Sequence, residues 1–233
     1  RRADNESAII RSSDGLEQSL PPDIYVTEHL GISLHFGAMV ADDKGKRRPL
    51  STFFQNDLPK VFIPVYYGCP SLCTVTLNRF ISAIQDLPYI VGEDYEVLVL
   101  SIDPREKPAL ALEKKQAYLR ETQAGSDGRG WHFLTAPGAS IRMLMDQVGF
   151  NYRYDQKTME YLHRATLIFV DTKGKVVRYL HGSNSSETSI RLALIEAGQG
   201  DFGNLRDRVT AHLFEYNSER RRYGPSMTLM VGA

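Results

Sequence analysis

The sequence predicts an α/β fold, a mixed central sheet flanked by helices. Three observations predict it. Two apolar, β-branched runs, "KVFIPVYYG" (Lys60–Gly68) and "YEVLVLSID" (Tyr95–Asp103), read as buried strands. Between them Leu72, Val75, Leu77, Phe80, Ile81, Ile84 and Leu87 form a helical stripe. Further on, "ATLIFVDTKGKVVRYLHG" is the clearest hairpin in the chain, with two apolar strands around Asp171-Thr172-Lys173-Gly174-Lys175. A βαβα order followed by a short strand, a hairpin and a helix packs naturally as a sheet with helices on both faces.

The other elements follow in order. Residues 1–22 are polar and close with Pro21-Pro22, so they read as an arm. Asp43-Lys44-Gly45-Lys46 is a turn signal between two short strands, which predicts an N-terminal β-hairpin. Pro64 has no N–H to give to a ladder and predicts an edge position or a bulge for its strand. The helix after that strand should start near Pro70. Pro108 to Thr122 is a charged surface helix, and Gly125–Gly130 a loop. "WHFLT" is a short strand, and "ASIRMLMDQVG" a helix stopped by Gly149. "SETSIRLALIEAG" is a helix capped by Ser185 or Ser186 and ended by Gly198. This divides the chain into an arm (1–30), one domain (31–200) and an extension (201–233).

The chain has 233 residues, with 28 basic against 28 acidic side chains. Balanced charge without a basic patch argues against a nucleic-acid binder. A domain of this size needs no disulfide staples. No apolar run reaches the roughly 18–20 residues that cross a bilayer, so a membrane anchor would be a segment outside this chain.

That leaves the two cysteines, Cys69 and Cys73, both in "YYGCPSLC". They are spaced as i and i+4, one helical turn apart. A helix beginning at Pro70 would put both near its N-terminus, where partial positive charge favours thiolate. The site would lie at the carboxyl end of a buried strand, where α/β sites tend to be. The pair could be a redox dithiol, part of a metal site, or an inert buried pair. The spacing is one residue longer than the thioredoxin C-x-x-C. Two thiolates with an imidazole would suit Cu(I), and zinc could use the same set. Of the six histidines, His163 stands out by position. It precedes the strand Ala165–Val170, predicted to join the same sheet as the cysteine strand.

Five stretches together resemble the Sco/SenC copper chaperones that assist assembly of cytochrome c oxidase. They are "YYGCPSLC", "LSIDPRE" (Leu100–Glu106), "GWHFLTA" (Gly130–Ala136), "VGFNYRYD" (Val148–Asp155) and "YLHRATLIFVDTKGKVVRYLHG" (Tyr161–Gly182). The resemblance implies a thioredoxin-like fold with copper, as Cu(I) or Cu(II), held by Cys69, Cys73 and His163. Asp103 would lie near that site, or serve as a turn residue ahead of Pro104. Tyr66 and Tyr67 would pack around it. The implied partner is the copper-site subunit of cytochrome c oxidase, alongside a copper donor or a thiol reductant. The implied compartment is extracytoplasmic, the periplasm in a bacterium. The chain departs from the family pattern at Leu162-His163-Arg164, where many members carry an acidic residue before the histidine.

Two functions follow. One is a metallochaperone that delivers copper by ligand exchange, with no turnover required. The other is a thiol–disulfide oxidoreductase that reduces a partner's copper-site cysteines. Against a general thioredoxin role, "HRATLIF" has no proline where thioredoxins carry a cis-proline. A peroxidase would need neither the second cysteine nor the distant histidine.

Overall fold

The computed structural model describes residues 20–69, 72–121, 128–182, 185–198, 214–217 and 222–225, with 72–75, 121, 214–217 and 222–225 described by their backbone. Pro70, Thr122, residues 125–127 of the predicted loop and most of the arm and extension lie outside them.

The N-terminal hairpin is present: β1 (Met39–Ala41) pairs antiparallel with β2 (Arg47–Pro49). Its turn is closed by Asp42, whose carboxylate accepts from the N–H groups of Lys44 and Lys46 (3.1 and 2.8 Å). Ala41 and Thr135 exchange backbone hydrogen bonds (2.7 and 2.9 Å), which dock the hairpin onto the domain.

The central sheet contains β3 (Lys60–Val65), β4 (Glu96–Ser101), β5 (Trp131–Leu134), β8 (Thr166–Val170) and β9 (Val176–His181), in the order β5-β4-β3-β8-β9. The first three are parallel, and β8 and β9 are antiparallel to their neighbours. The sheet is therefore mixed, as the sequence predicts. Four α-helices flank it: α1 (Leu72–Ile84), α2 (Pro108–Glu121), α3 (Gly138–Gln147) and α4 (Glu187–Ala197). Ser186 caps α4, its hydroxyl accepting from Ser189 N–H at 3.2 Å, and Gly198 ends it. Gly149 ends the α3 segment with φ +61°. A side chain there would collide with the Thr27 carbonyl, so this position needs glycine for two reasons.

Strand β3 is the centre of the sheet, which corrects the edge position predicted from Pro64. The reason lies in which way its amides face. Val65 O accepts from Ile102 N–H and Pro59 O from Glu96 N–H. Odd-numbered residues of β3 thus turn to β4, and Pro64 turns to β8. Pairing with β8 stops at Phe62, opposite Ile168. The proline stands just beyond the end of that ladder and interrupts nothing.

Within the predicted arm, Ile24 and Val26 are buried. Val26 bridges to Phe150, and Glu28 meets His181 Nε2 at 2.9 Å. A second short hairpin, β6 (Arg153–Asp155) with β7 (Glu160–Leu162), precedes β8 and has no counterpart in the sequence prediction. Strands β10 (Phe214–Asn217) and β11 (Arg222–Pro225) pair with each other in the extension.

The amino end of the sheet holds a charge cluster around one buried lysine. Lys60 is fully buried, and its Nζ donates to Asn56 Oδ1 and Leu58 O (both 2.6 Å). It pairs with Glu96 at 3.2 Å, and His132 Nε2 lies 3.5 Å from the same carboxylate. Burial alone would raise the Glu96 carboxyl, but His132 and Lys60 outweigh it and bring it down to about 2. A carboxyl depressed on folding adds stability above its ordinary value and loses it as pH falls through the folded one. Stability should therefore drop between about pH 4.5 and about pH 2. Glu96→Gln should lower stability at neutral pH and flatten that acid limb, as read by urea unfolding across the range.

Candidate metal centre

The cysteine loop grows out of the carboxyl end of β3. Tyr66 O accepts from Cys69 N–H at 3.3 Å, which closes a turn over Tyr66–Cys69. Cys69 is buried. Helix α1 is described from Leu72, with Cys73 in its first turn. The turn that positions Cys69 lies before the described helix, and the helix start expected near Pro70 falls outside the described residues.

Two anchors hold this loop. The Tyr67 hydroxyl lies between β4 and β5 and reaches both Val99 O (2.9 Å) and Leu134 O (2.8 Å). Its ring stacks on Phe133 at 5.9 Å. Burial and the nearby Glu106 push the Tyr67 phenol well above its ordinary value, so it stays a neutral donor. Glu106 is the second anchor. Its carboxylate accepts from the N–H groups of Tyr67 (2.8 Å) and Gly68 (2.6 Å) and from the Ser101 hydroxyl (2.5 Å).

His163 lies on the chain entering β8, the neighbour of β3 in the sheet. It follows β7 directly and is 1% exposed. Its Nδ1 lies 3.0 Å from Arg164 O. A carbonyl only accepts, so Nδ1 carries the proton, and in the neutral ring Nε2 carries the lone pair. This is how ligating histidines are commonly oriented. The imidazole meets Phe150 and Tyr66 at ring separations of 5.8 and 6.0 Å. Tyr66 is therefore common to both sides: its carbonyl fixes the turn of Cys69, and its ring packs on His163. The Arg164 side chain points elsewhere, its Nε donating to Ile24 O at 2.9 Å.

Asp103 takes the turn role suggested for it, ahead of Pro104. It shapes the turn after β4 by accepting from Arg105 N–H (2.9 Å), and it holds the Arg105 guanidinium at 2.8–3.1 Å. It also accepts from the Tyr161 hydroxyl at 3.4 Å, and Tyr161 packs on Tyr66 at 5.4 Å. Burial would raise the Asp103 carboxyl, but its bonds with Arg105 lower it, so it is a carboxylate at neutral pH. Beside this cluster a cavity of about 560 Å³ opens, walled by Tyr25, Arg142, Phe150, Tyr152, Tyr154 and Tyr161.

Among the described residues no three His, Cys, Asp or Glu side chains form a metal-binding group, and the Cys73 side chain is not among those described. The donor chemistry fits a soft ion: a buried thiol, a second cysteine in the first turn of a helix, and an imidazole presenting Nε2.

A model of the SCO1/SenC family matches residues 52–194, more than half of the chain. The chain belongs to the SCO1/SenC family.

Solved structures agree on the fold. A SCO1/SenC family lipoprotein from Bacillus anthracis shares 16% identity with a TM-score of 0.57, covering 75% of this chain and 98% of that one. BsSco, described with a disulfide switch as one of the Sco family of cytochrome c oxidase assembly proteins, shares 15% at 0.56, covering 74% and 97%. ScoI of Arabidopsis thaliana with copper bound shares 18% at 0.55, covering 71% and 99%. A search of curated protein sequences found no match. The SCO1/SenC fold of this chain is thioredoxin-like, as the resemblance implies.

Sequence reasoning on this SCO1/SenC chain missed Glu106, Arg105 and the β6–β7 hairpin. The first two lie inside the quoted "LSIDPRE", but nothing local shows that Glu106 reaches back to the cysteine loop. Alternating aromatics at Tyr152 and Tyr154, with Asp155 closing a turn onto Lys157 N–H (2.9 Å), were the signal for the hairpin. Tyr67→Phe should cost about 1–3 kcal/mol, because it removes the hydroxyl that reaches two buried carbonyls. Chemical unfolding of the two proteins side by side checks this.

Proposed function

We propose that this chain is a copper-binding metallochaperone in which Cys69, Cys73 and His163 hold one copper ion. It would pass the ion by ligand exchange to the binuclear copper site of a cytochrome c oxidase subunit. The observation that carries the reading is the buried His163 imidazole, oriented by Arg164 O and packed on the residue whose carbonyl fixes Cys69. Family membership supports it, as do a neighbour solved with copper and another named for oxidase assembly.

Copper would supply a redox-active centre with a preference for thiolate. The protein's own groups do the rest. The α1 N-terminus favours the thiolate form of Cys73. Tyr66 and Phe150 shield the imidazole from water, and the Arg164 carbonyl keeps the Nδ1 proton so that Nε2 stays a donor atom. Asp103 and Tyr161 support the ring of Tyr66 from behind. The compartment we propose is extracytoplasmic, with membrane association through a segment beyond this chain; the lipoprotein neighbour supports it. No helix among the described residues is long and apolar enough to cross a membrane.

The second reading is a thiol–disulfide oxidoreductase. One cysteine thiolate of this chain would attack a partner's disulfide, and the other would resolve the mixed disulfide. The partner would gain two thiols, and Cys69 and Cys73 would close into a disulfide. The placement of Cys73 at a helix N-terminus favours this chemistry, and the neighbour with a disulfide switch supports it.

Anaerobic copper titration of the reduced protein separates the two readings. The chaperone reading predicts one copper per chain, lost in Cys69→Ser and Cys73→Ser. It predicts affinity lower by about a hundredfold or more in His163→Ala, with the potential of the cysteine couple unchanged. Unaltered copper affinity in His163→Ala would overturn the ligand assignment. No copper uptake, with a readily reversible disulfide, would favour the oxidoreductase.

A further inference from the structure

The geometry points to the loop after β4, Asp103–Glu106, as a double clasp that sets both halves of the site at once. This rests on the copper reading. Within four residues the loop carries three charged side chains, and Arg105 and Glu106 reach in different directions. Glu106 takes the cysteine side. It accepts from the consecutive N–H groups of Tyr67 and Gly68, the two residues before Cys69, and from Ser101 at the end of β4. Two adjacent amides pointed at one carboxylate fix the peptide planes leading into Cys69, and charge-assisted bonds of this kind are the strong ones.

Arg105 takes the histidine side. Its guanidinium is clamped to Asp103 and lies over the rings of Tyr154 (4.7 Å) and Tyr161 (5.9 Å). Those rings belong to β6 and β7, the hairpin that ends one residue before His163. The Arg105 side chain is 61% exposed, so its contacts with the two rings are not forced by core packing. They tie a two-stranded hairpin to the same loop that holds the cysteines. Tyr66, the residue common to both halves, receives Tyr161 from this hairpin at 5.4 Å.

Glu106 and Arg105 are therefore positioning residues, one for each half. They should separate by readout. Glu106→Gln keeps the shape but lacks a second acceptor for two N–H groups. Copper affinity should fall about tenfold, and the midpoint potential of the Cys69–Cys73 couple should move by about 30 mV, the equivalent of tenfold for two electrons. Glu106→Asp, which keeps the charge, should recover part of both. Arg105→Ala should weaken copper binding several-fold and leave that potential at the wild-type value. The test is an anaerobic Cu(I) titration and a thiol–disulfide redox titration of wild type and the three variants, with thermal unfolding as the check on folding. If wild type takes up no copper, the copper reading fails, while the redox titration still tests the Glu106 clasp. If wild type binds copper and Glu106→Gln matches it in affinity and potential, the clasp is wrong. If Arg105→Ala shifts the potential as Glu106→Gln does, the division between the halves is wrong.

Discussion

The site depends on where β3 stops being paired. The strand is bonded on both sides through Phe62 and only to β4 beyond it, because the Pro64 position faces β8 and has no N–H to give. Past that point the chain leaves a sheet that is otherwise fully occupied. The β3 end runs on into the cysteine loop, and the chain entering β8 on the other side carries His163. A buried central strand that loses one neighbour at its carboxyl end gives two segments room to approach without breaking a ladder. In parallel sheets this is the end at which ligands bind.

The two ends of the sheet do different work. At the amino end, Glu96, His132 and Asn56 gather around the buried Lys60, and each charge has a partner. Breaking such a cluster costs much more than its presence contributes, because the remaining charge would be left buried and alone. At the carboxyl end the charged groups of Asp103, Arg105 and Glu106 act mainly on the cysteine loop and on the β6–β7 hairpin, outside the central sheet. The contacts there are aromatic rings, an arginine–carboxylate pair and two adjacent amides held by one carboxylate, which set position without adding the segments to the central sheet.

Much of this was legible in the sequence. Both hairpin turns read Asp-x-Lys-Gly-Lys, at Asp42–Lys46 and Asp171–Lys175, and both work the same way. The aspartate accepts from the N–H groups two and four residues on, and the glycine takes a positive φ. Caps and stops at Ser186, Gly198 and Gly149 were legible because each has a local physical cause. Pro64 misled because its local rule is sound but the sheet satisfies it differently, by ending one ladder early. His163 could be ranked by its place before β8. Its tautomer could not, since that depends on a carbonyl direction. Glu106 and Arg105 were invisible as site residues because their partners are 38 and 49 positions away, and no periodicity encodes such a contact.

The central claim is that one copper is held by two cysteine sulfurs and one imidazole nitrogen. X-ray absorption at the copper edge of the reduced, copper-loaded protein tests it most directly. The account predicts two sulfur scatterers and one imidazole, with the imidazole signal lost in His163→Ala and the sulfur signal kept. A coordination shell of sulfur alone in the wild-type protein, unchanged by His163→Ala, would contradict it.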